Sequence, residues 1–288
     1  MDQTAEAKQF RASLKTQTLS DFLNDPSGGA TLILPEIAFV IPFKTLADTL
    51  IAKDPIGFLK QFQTAVAASN TPPMSPQVQA LSQAFDSQFG NGIFDPRSKP
   101  KELTFSAGAQ AAHELILEHY LTHMGPTGWI TFTNIGVWGD DVIGRSAITE
   151  FIQYGNGRST AAYYHSFRDG TGAALDGNDP HGYILTFPAG QIPQAKRFWS
   201  VTAYTPEAIE LVPNLAEKYL VASYTPGPQY NADGSVSIYL ATERPRGVPM
   251  ANWLPIPRRQ FNLILRVYSP EGAVADNTYV PPPINRSH

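Results

Sequence analysis

Apolar and polar residues alternate along the second half of the chain with the period of two that is typical of β-strands. The alternation predicts six strands, at residues 160–164, 182–187, 198–204, 218–223, 235–241 and 261–268. Turn sequences such as Leu175–Gly177 and Asp233–Gly234 separate most of them. Many short strands with Gly- and Pro-rich turns favour a β-sandwich or a barrel.

The first half of the chain instead repeats its apolar residues at helical spacing. The spacing predicts helices over residues 2–23, 45–68, 76–88 and 106–124, and a further helix follows at 142–154. The second of these breaks near Asp54 and Pro55, where Asp54 would cap a new helix.

Residues 31–43 are apolar and β-branched, but two prolines restrict them to an edge strand or an extended segment. We therefore expect an α+β protein. Residues 1–125 would form a mainly helical N-terminal region, and residues 126–288 an antiparallel, jelly-roll-like β-sandwich domain.

Composition narrows the classes of function. The chain of 288 residues is 42% hydrophobic and 16% charged, with a net charge of −4 and no cluster of basic residues. Nucleic acid and anionic membrane are therefore poor partners, because phosphate binding needs clustered Lys and Arg. The absence of cysteine excludes disulfides and thiol catalysis. No apolar run is long enough to predict a membrane span.

The localisation stays open at this stage. Residues 1–8 are polar and lack the apolar core of a signal peptide. A cytoplasmic protein and an exported chain whose signal peptide has been removed both agree with this sequence.

The densest group of titratable and aromatic residues lies at 163–169. Alternation places Tyr163 and His165 on one face of the predicted strand and Tyr164 on the other. His165 is the first candidate for a general base, with Tyr164 as the alternative proton carrier. Ser166 does not complete a triad, and no nucleophile elbow occurs in the chain.

Asp140 and Asp141 follow a Gly-containing turn and precede a predicted helix. One of them is expected to cap this helix, which would keep its carboxylate ionised. As a catalytic alternative, one of them would pair with Arg145, a turn further along, and line a pocket. A glycosidase would need two carboxylates that face each other across the substrate, which spacing alone does not establish.

The strand at 261–268 alternates cleanly, so Phe261, Leu263, Leu265 and Val267 should face the core. Arg266 lies on the opposite face, where an arginine must be paired or must bind a ligand. Both interpretations, an ion pair and an anion site, remain open. Further candidates for substrate binding are the aromatic and amide side chains of Trp199, Tyr204, Tyr239, Asn252, Trp253 and Tyr268. The aromatic members would form either ordinary packing or walls for a flat or sugar-like ligand.

The histidines offer little for a metal. His113–Glu114 lacks the second histidine of a zinc-protease motif, since Leu117 stands in its place. His119 and His123 share a helix face, but a third ligand is missing, so structural histidines at a contact between the helix and the β-domain are the better interpretation. We therefore predict no metal and no cofactor.

An ordered series of motifs in the second half resembles the family of unknown function DUF1214. The motifs are FWSVTAY (198–204), LVPN (211–214), YNADGS (230–235), NWLP (252–255), FNLILRVY (261–268) and PPP (281–283), preceded by NIG (134–136), WGDD (138–141) and YILTF (183–187). The resemblance covers residues 128–286 and implies a jelly-roll-type β-sandwich with helical additions. Members often follow a DUF1254 partner domain, which the first 125 residues match poorly, and are often exported from bacteria.

The resemblance implies no established reaction. Our leading hypothesis is a hydrolase or lyase for a small polar or carbohydrate-like substrate in a β-sandwich pocket. The alternative is a non-catalytic module that binds a ligand or forms a homo-oligomer. A metal-dependent, cupin-like enzyme is a third hypothesis, weakened by the scattered histidines.

Overall fold

A computed structural model describes residues 18–25, 43–67, 75–89, 99–152, 155–206, 209–224 and 227–287, together with Gln9 and Ser13. Contacts divide the chain into two units, Met1–Pro42 and Phe43–His288. In the first unit, helix α1 (Leu19–Asn24) begins after Thr18, whose hydroxyl accepts a hydrogen bond from the backbone of Asp21. Most of the helix predicted over 2–23 and nearly all of the extended segment predicted over 31–43 lie outside the described residues.

The second unit contains the remaining described helices. These are α2 (Phe43–Lys53), α3 (Pro55–Ala67), α4 (Pro76–Phe89), α5 (Lys99–Thr122), α6 (Val142–Phe151) and the single turn α7 (Gly272–Ala275). The predicted break at Asp54 is confirmed, because its carboxylate accepts from Gly57 N at 2.9 Å. Helix α5 begins seven residues before the predicted start at 106, with Pro100 in its first turn, where a missing N–H costs no intrahelical bond. No helix in the described parts of the chain is both long and apolar enough to cross a bilayer.

Among the described residues, eight strands form two four-stranded sheets. The strands are β1 (Ala161–Ser166), β2 (Tyr183–Phe187), β3 (Ala195–Tyr204), β4 (Leu220–Ala222), β5 (Val236–Ala241), β6 (Trp253–Pro255), β7 (Asn262–Pro270) and β8 (Ile284–Arg286). The first sheet has the order β1-β7-β3-β4 and the second the order β6-β5-β2-β8.

All six predicted strands are present, although β4 spans only three residues. The sequence did not predict β6 and β8, which are also three residues long. The expectation of a purely antiparallel sandwich needs a correction, since β5 and β6 pair in parallel. The connection over residues 242–252 makes this pairing feasible, because a parallel pair needs about a dozen residues to return the chain.

One hydrophobic core lies between the two sheets. The sheets are separate and do not form a closed barrel. Leu263, Leu265 and Val267 of β7 point into the core, as their alternation predicts, and meet Leu185 and Ile238 of the second sheet. This side of the first sheet is here called its inner face.

The opposite, outer face of the first sheet is covered by helices. Ile264 of β7 packs there with Tyr120 of α5 and with Ala147 and Ile148 of α6. Because both faces of the first sheet are covered, every residue of β1 is buried. The outer-face side chains of β1 are therefore shielded from water by α5 and α6, whereas Arg266 and Tyr268 of β7 stay partly exposed.

Candidate functional site

Six candidate or neighbouring side chains gather on the outer face of the first sheet. Strand register brings them together, since Tyr163 pairs with Arg266, His165 with Ile264, and Tyr204 with Asn262. The outer-face cluster consists of Tyr163, His165, Tyr204, Asn262, Arg266 and Tyr268. Alternation along each strand aims these side chains at the helices rather than into the core between the sheets.

Arg266 is the cation of this cluster. Its guanidinium carbon lies 5.2 Å from the ring centre of Tyr204 and 6.0 Å from that of Tyr163. Within the described ranges, no carboxylate and no hydrogen-bond acceptor pairs with this guanidinium. The side chain is half-buried, so its charge is partly desolvated. Among the described residues, the faces of two aromatic rings are what stabilise this charge. This arrangement is suited to receiving an anion.

His165 lies next to Arg266 and is fully buried. Its Nδ1 is 2.6 Å from the hydroxyl oxygen of Tyr120 on α5. Burial lowers the pKa of His165 from 6.5 to about 3, while Asn262 raises it and the charge of Arg266 lowers it further. The imidazole is therefore neutral at physiological pH, when it can donate from one nitrogen atom and accept at the other.

Two buried polar atoms of the cluster have no hydrogen-bond partner. They are Nε2 of His165 and Oδ1 of Asn262, which belong to diagonal neighbours on adjacent strands. The side chain of Asn262 interacts with His165 closely enough to raise its pKa, but the two atoms do not have the geometry of a hydrogen bond with each other. Unsatisfied buried polar atoms are uncommon in native proteins and call for a water molecule, an ion or a ligand.

Tyrosine hydroxyls supply neutral donors beside the cation. The hydroxyl of Tyr163 accepts from both nitrogen atoms of Asn156, at 3.0 and 2.7 Å, which leaves its own O–H to donate. Burial raises the pKa of Tyr268, although the charge of Arg266 lowers it and the nearby Tyr163 and Tyr204 raise it. Tyr268 therefore stays protonated at neutral pH. A single cation surrounded by neutral hydrogen-bond donors and aromatic rings is suited to binding an anion.

Two of the predicted site residues lie instead in the core between the sheets. Trp199 is 2% exposed, with its ring centre 5.4 Å from that of Phe187. Tyr164 points to the same inner face, and burial raises its pKa despite the opposing charge of Arg158. His165 and Tyr164 are consequently on opposite sides of one sheet and cannot act on one bond.

Three more residues belong to the second sheet and its approaches. Asn252 accepts from Gln229 N and donates to the carbonyls of Gln229 and Ser237, so it fixes a loop. Trp253 donates from its indole nitrogen to the carbonyl of Ala241 at 2.9 Å. Tyr239 is the register partner of Trp253 and lies with it on the side of the second sheet that faces away from the core. The shared core separates all three from Arg266.

The predicted acidic pair is split between two tasks at the start of α6. Asp141 caps the helix, accepting from Gly144 N at 2.7 Å and from the Asn134 amide at 2.9 Å. The bond from Gly144, followed by that from Asn134, outweighs burial and lowers the pKa of Asp141. Asp140 is exposed, and its backbone carbonyl accepts from Gln77. Arg145 forms no ion pair with either aspartate.

His119 and His123 lie near the end of α5, as predicted. The ring of His123 stacks on Phe132 at 3.8 Å, and its Nδ1 lies 3.0 Å from the carbonyl oxygen of His119. The part of the chain that the structure describes holds no group of three or more metal-binding side chains.

Tyr163 and Asn262 of the cluster, and Tyr120, which contacts His165, were not among the candidates. Alternation already placed Tyr163 beside His165, and Asn262 beside Arg266, so both were accessible to the same reasoning. Tyr120 was not, because it meets His165 across 45 residues of sequence.

Comparisons with known proteins agree with the fold and leave the activity open. The crystal structure of the VPA0106 protein from Vibrio parahaemolyticus is similar, with a TM-score of 0.51 and 20% identity over 98% of this chain. The chain spans 64% of that protein. An uncharacterised protein from Burkholderia cenocepacia has 17% identity over 77% of this chain and 46% of its own, and its TM-score of 0.33 is too low to compare folds. No curated protein matches.

The family comparison matches the motifs of the strand-rich half. Residues 160–272 fit the family described as "Protein of unknown function (DUF1214)". This range runs from the start of β1 to the end of β7 and contains the whole outer-face cluster. Over residues 160–272 the chain is therefore similar to the DUF1214 family.

Proposed function

We propose that the outer-face cluster binds a small polar ligand through a carboxylate or phosphate group, with Arg266 as its anchor. The observation that carries this proposal is that Arg266 has no carboxylate partner among the described residues. A half-buried guanidinium on a largely apolar strand requires a counter-charge, and a ligand would supply it.

The neighbouring groups support the same class of ligand. Tyr163 and Tyr268 offer neutral O–H donors, and the ring of Tyr204 forms a wall beside the guanidinium. The unpartnered atoms of His165 and Asn262 would hydrogen-bond hydroxyl groups of the same molecule. A sugar acid or a sugar phosphate combines an anion, hydroxyl groups and a flat apolar face, and so fits all of these groups.

Binding is favoured over hydrolysis or elimination because the candidate proton carriers are dispersed. A histidine with a pKa of about 3 is a weak base at neutral pH, where efficient general bases are poised near 7. Tyr164 lies on the other face of the sheet, and Asp141 is engaged as a helix cap. We therefore propose a ligand-binding module in preference to a hydrolase or lyase.

The test is calorimetric titration with glucuronate and with glucose 6-phosphate, using glucose as the neutral comparison. We expect one anionic sugar to bind and glucose to bind far more weakly. Arg266→Gln should lower the affinity for the anionic sugar at least tenfold, which corresponds to about 1.4 kcal/mol of binding free energy. The sugar that binds identifies the carboxylate or the phosphate as the anchored group.

Arg246→Gln is the matched control, since Arg246 is an exposed arginine in the connection between β5 and β6. It should leave the affinity unchanged. Circular dichroism must show that both variants are folded. A folded Arg266→Gln protein with wild-type affinity, or no binding of either anionic sugar, would refute the anchor role of Arg266.

We also propose that the two sheets form a jelly-roll-like β-sandwich, an inference that rests on their single shared core. The boundary at residues 125 and 126, a DUF1254 partner domain, export from the cell and a homo-oligomeric state stay predictions.

A further inference from the structure

A second site lies among the helices, apart from the outer-face cluster. It is a cavity of about 810 Å³ bounded by α2, α3, α4, α5 and α6. Helix α6 separates it from the sheet: Ala147 and Ile148 pack toward the outer face, whereas Arg145, Ser146 and Thr149 line the cavity.

The wall of the cavity is mainly apolar. It includes the side chains of Ile51, Phe58, Phe62, Val78, Leu81 and Ile116. Phe62 and Leu81 are 51% and 53% exposed, so apolar surface remains uncovered at its edge. Such surface favours an alkyl chain over a sugar, and the volume is within the range of roughly 300–1,000 Å³ typical of small-molecule sites.

Small residues on α5 leave the space open. Gly108, Ala109 and Ala112 line the cavity along one stripe of the helix. A Cβ atom added at Gly108 would meet no atom within 4 Å. A larger side chain at Gly108 would therefore enter the cavity without a clash, which makes this position a probe of its contents.

The cavity is lined by an acidic residue, Glu150, and a basic residue, Arg145. Of these two, Arg145 is the one without a partner among the described residues. Glu150 lies with its Oε1 3.8 Å from Nε2 of His113, across the contact between α6 and α5. Arg145 is exposed and has no carboxylate or hydrogen-bond partner for its guanidinium in the described ranges. The ion pair expected with Asp141 is absent because that carboxylate caps α6.

We propose that this cavity binds a long-chain carboxylic acid. The alkyl chain would lie along the apolar wall from Phe58 to Ile116, and the carboxylate would meet Arg145 at the edge. The apolar lining fits the alkyl chain, and the volume fits its size. The unpaired cation fits the acidic head group.

The test uses cis-parinaric acid, a fluorescent long-chain carboxylate, and its displacement by palmitate or by hexadecanol. We expect one molecule to bind per chain and palmitate to displace it better than the neutral alcohol. Gly108→Leu should weaken binding at least tenfold, because the new side chain occupies the cavity. Arg145→Gln should lower the affinity for palmitate several-fold and leave the affinity for hexadecanol unchanged.

Ala111→Leu is the matched control, because Ala111 is exposed on the same helix and does not line the cavity. It should bind like the wild type, as should Arg266→Gln, which alters the other site. Ala112→Phe serves as a second filled variant if Gly108→Leu does not fold.

Three outcomes would overturn the proposal. They are the absence of probe binding, equal binding by the filled variants, and an affinity for palmitate that is independent of Arg145. A dimer that Gly108→Leu dissociates, with no probe bound, would assign the cavity to a second copy and also overturn it.

Discussion

Trp199→Ala is expected to lower the free energy of unfolding by about 3–5 kcal/mol, the usual loss for removing a large aromatic side chain from a core. Trp199 is 2% exposed in the core between the sheets, and its strand partner is Val267. Close packing around it limits how far the cavity can collapse. If Trp199 were instead a wall of a binding site, truncation would affect affinity more than stability.

Urea unfolding followed by circular dichroism measures this loss. Tyr230→Ala is the comparison, because Tyr230 is an aromatic residue that is 60% exposed. It should change the free energy of unfolding by no more than about 0.5 kcal/mol. A loss below about 1 kcal/mol for Trp199→Ala would place the indole outside a well-packed core.

Lowering the pH from 7 to 5 is expected to destabilise the protein by about 2 kcal/mol through His165 alone. Its pKa is about 3 in the folded chain, against an ordinary 6.5. Because the folded pKa is depressed, the unfolded chain binds the proton first. The contribution is fully present above pH 6.5 and is lost as the pH falls from 6.5 toward 3.

The groups around His165 set this behaviour. Burial beneath α5 and α6 opposes the charge, the cation of Arg266 adds to that opposition, and Asn262 counters part of it. Carboxyl groups with a lowered pKa, such as Asp141, lose their contribution only below about 3.8, outside this pH range.

Urea unfolding at pH 7 and pH 5 tests the prediction against His165→Gln. The variant starts from a lower stability, so the informative quantity is the change between the two pH values, which should shrink by about 2 kcal/mol. An NMR titration of the imidazole gives the pKa directly. A folded-state pKa near 6.5 would contradict the burial argument.

Local patterns in the sequence determined much of the fold. Alternation identified six of the eight described strands and the inner face of β7, because the side-chain period of a strand is local. The break at Asp54 and a helix cap by one of Asp140 and Asp141 were equally readable, since a cap involves residues only three positions apart. The same period would also have separated Trp199 from Tyr204, which have opposite parity on β3 and face opposite sides of the sheet.

The site was decided by contacts between distant parts of the chain. Alternation indicates that Arg266 lies opposite the core face, but not whether water, a carboxylate or a helix covers it. The meeting of Tyr120 with His165 depends on how α5 packs on the sheet, and the helical cavity depends on five helices at once. The sequence alone determined most strands, the helix caps and the resemblance to a family, because these follow from neighbouring residues and ordered motifs. Only the tertiary structure decided which polar groups are buried together, because strand register and helix packing join residues that no local period connects.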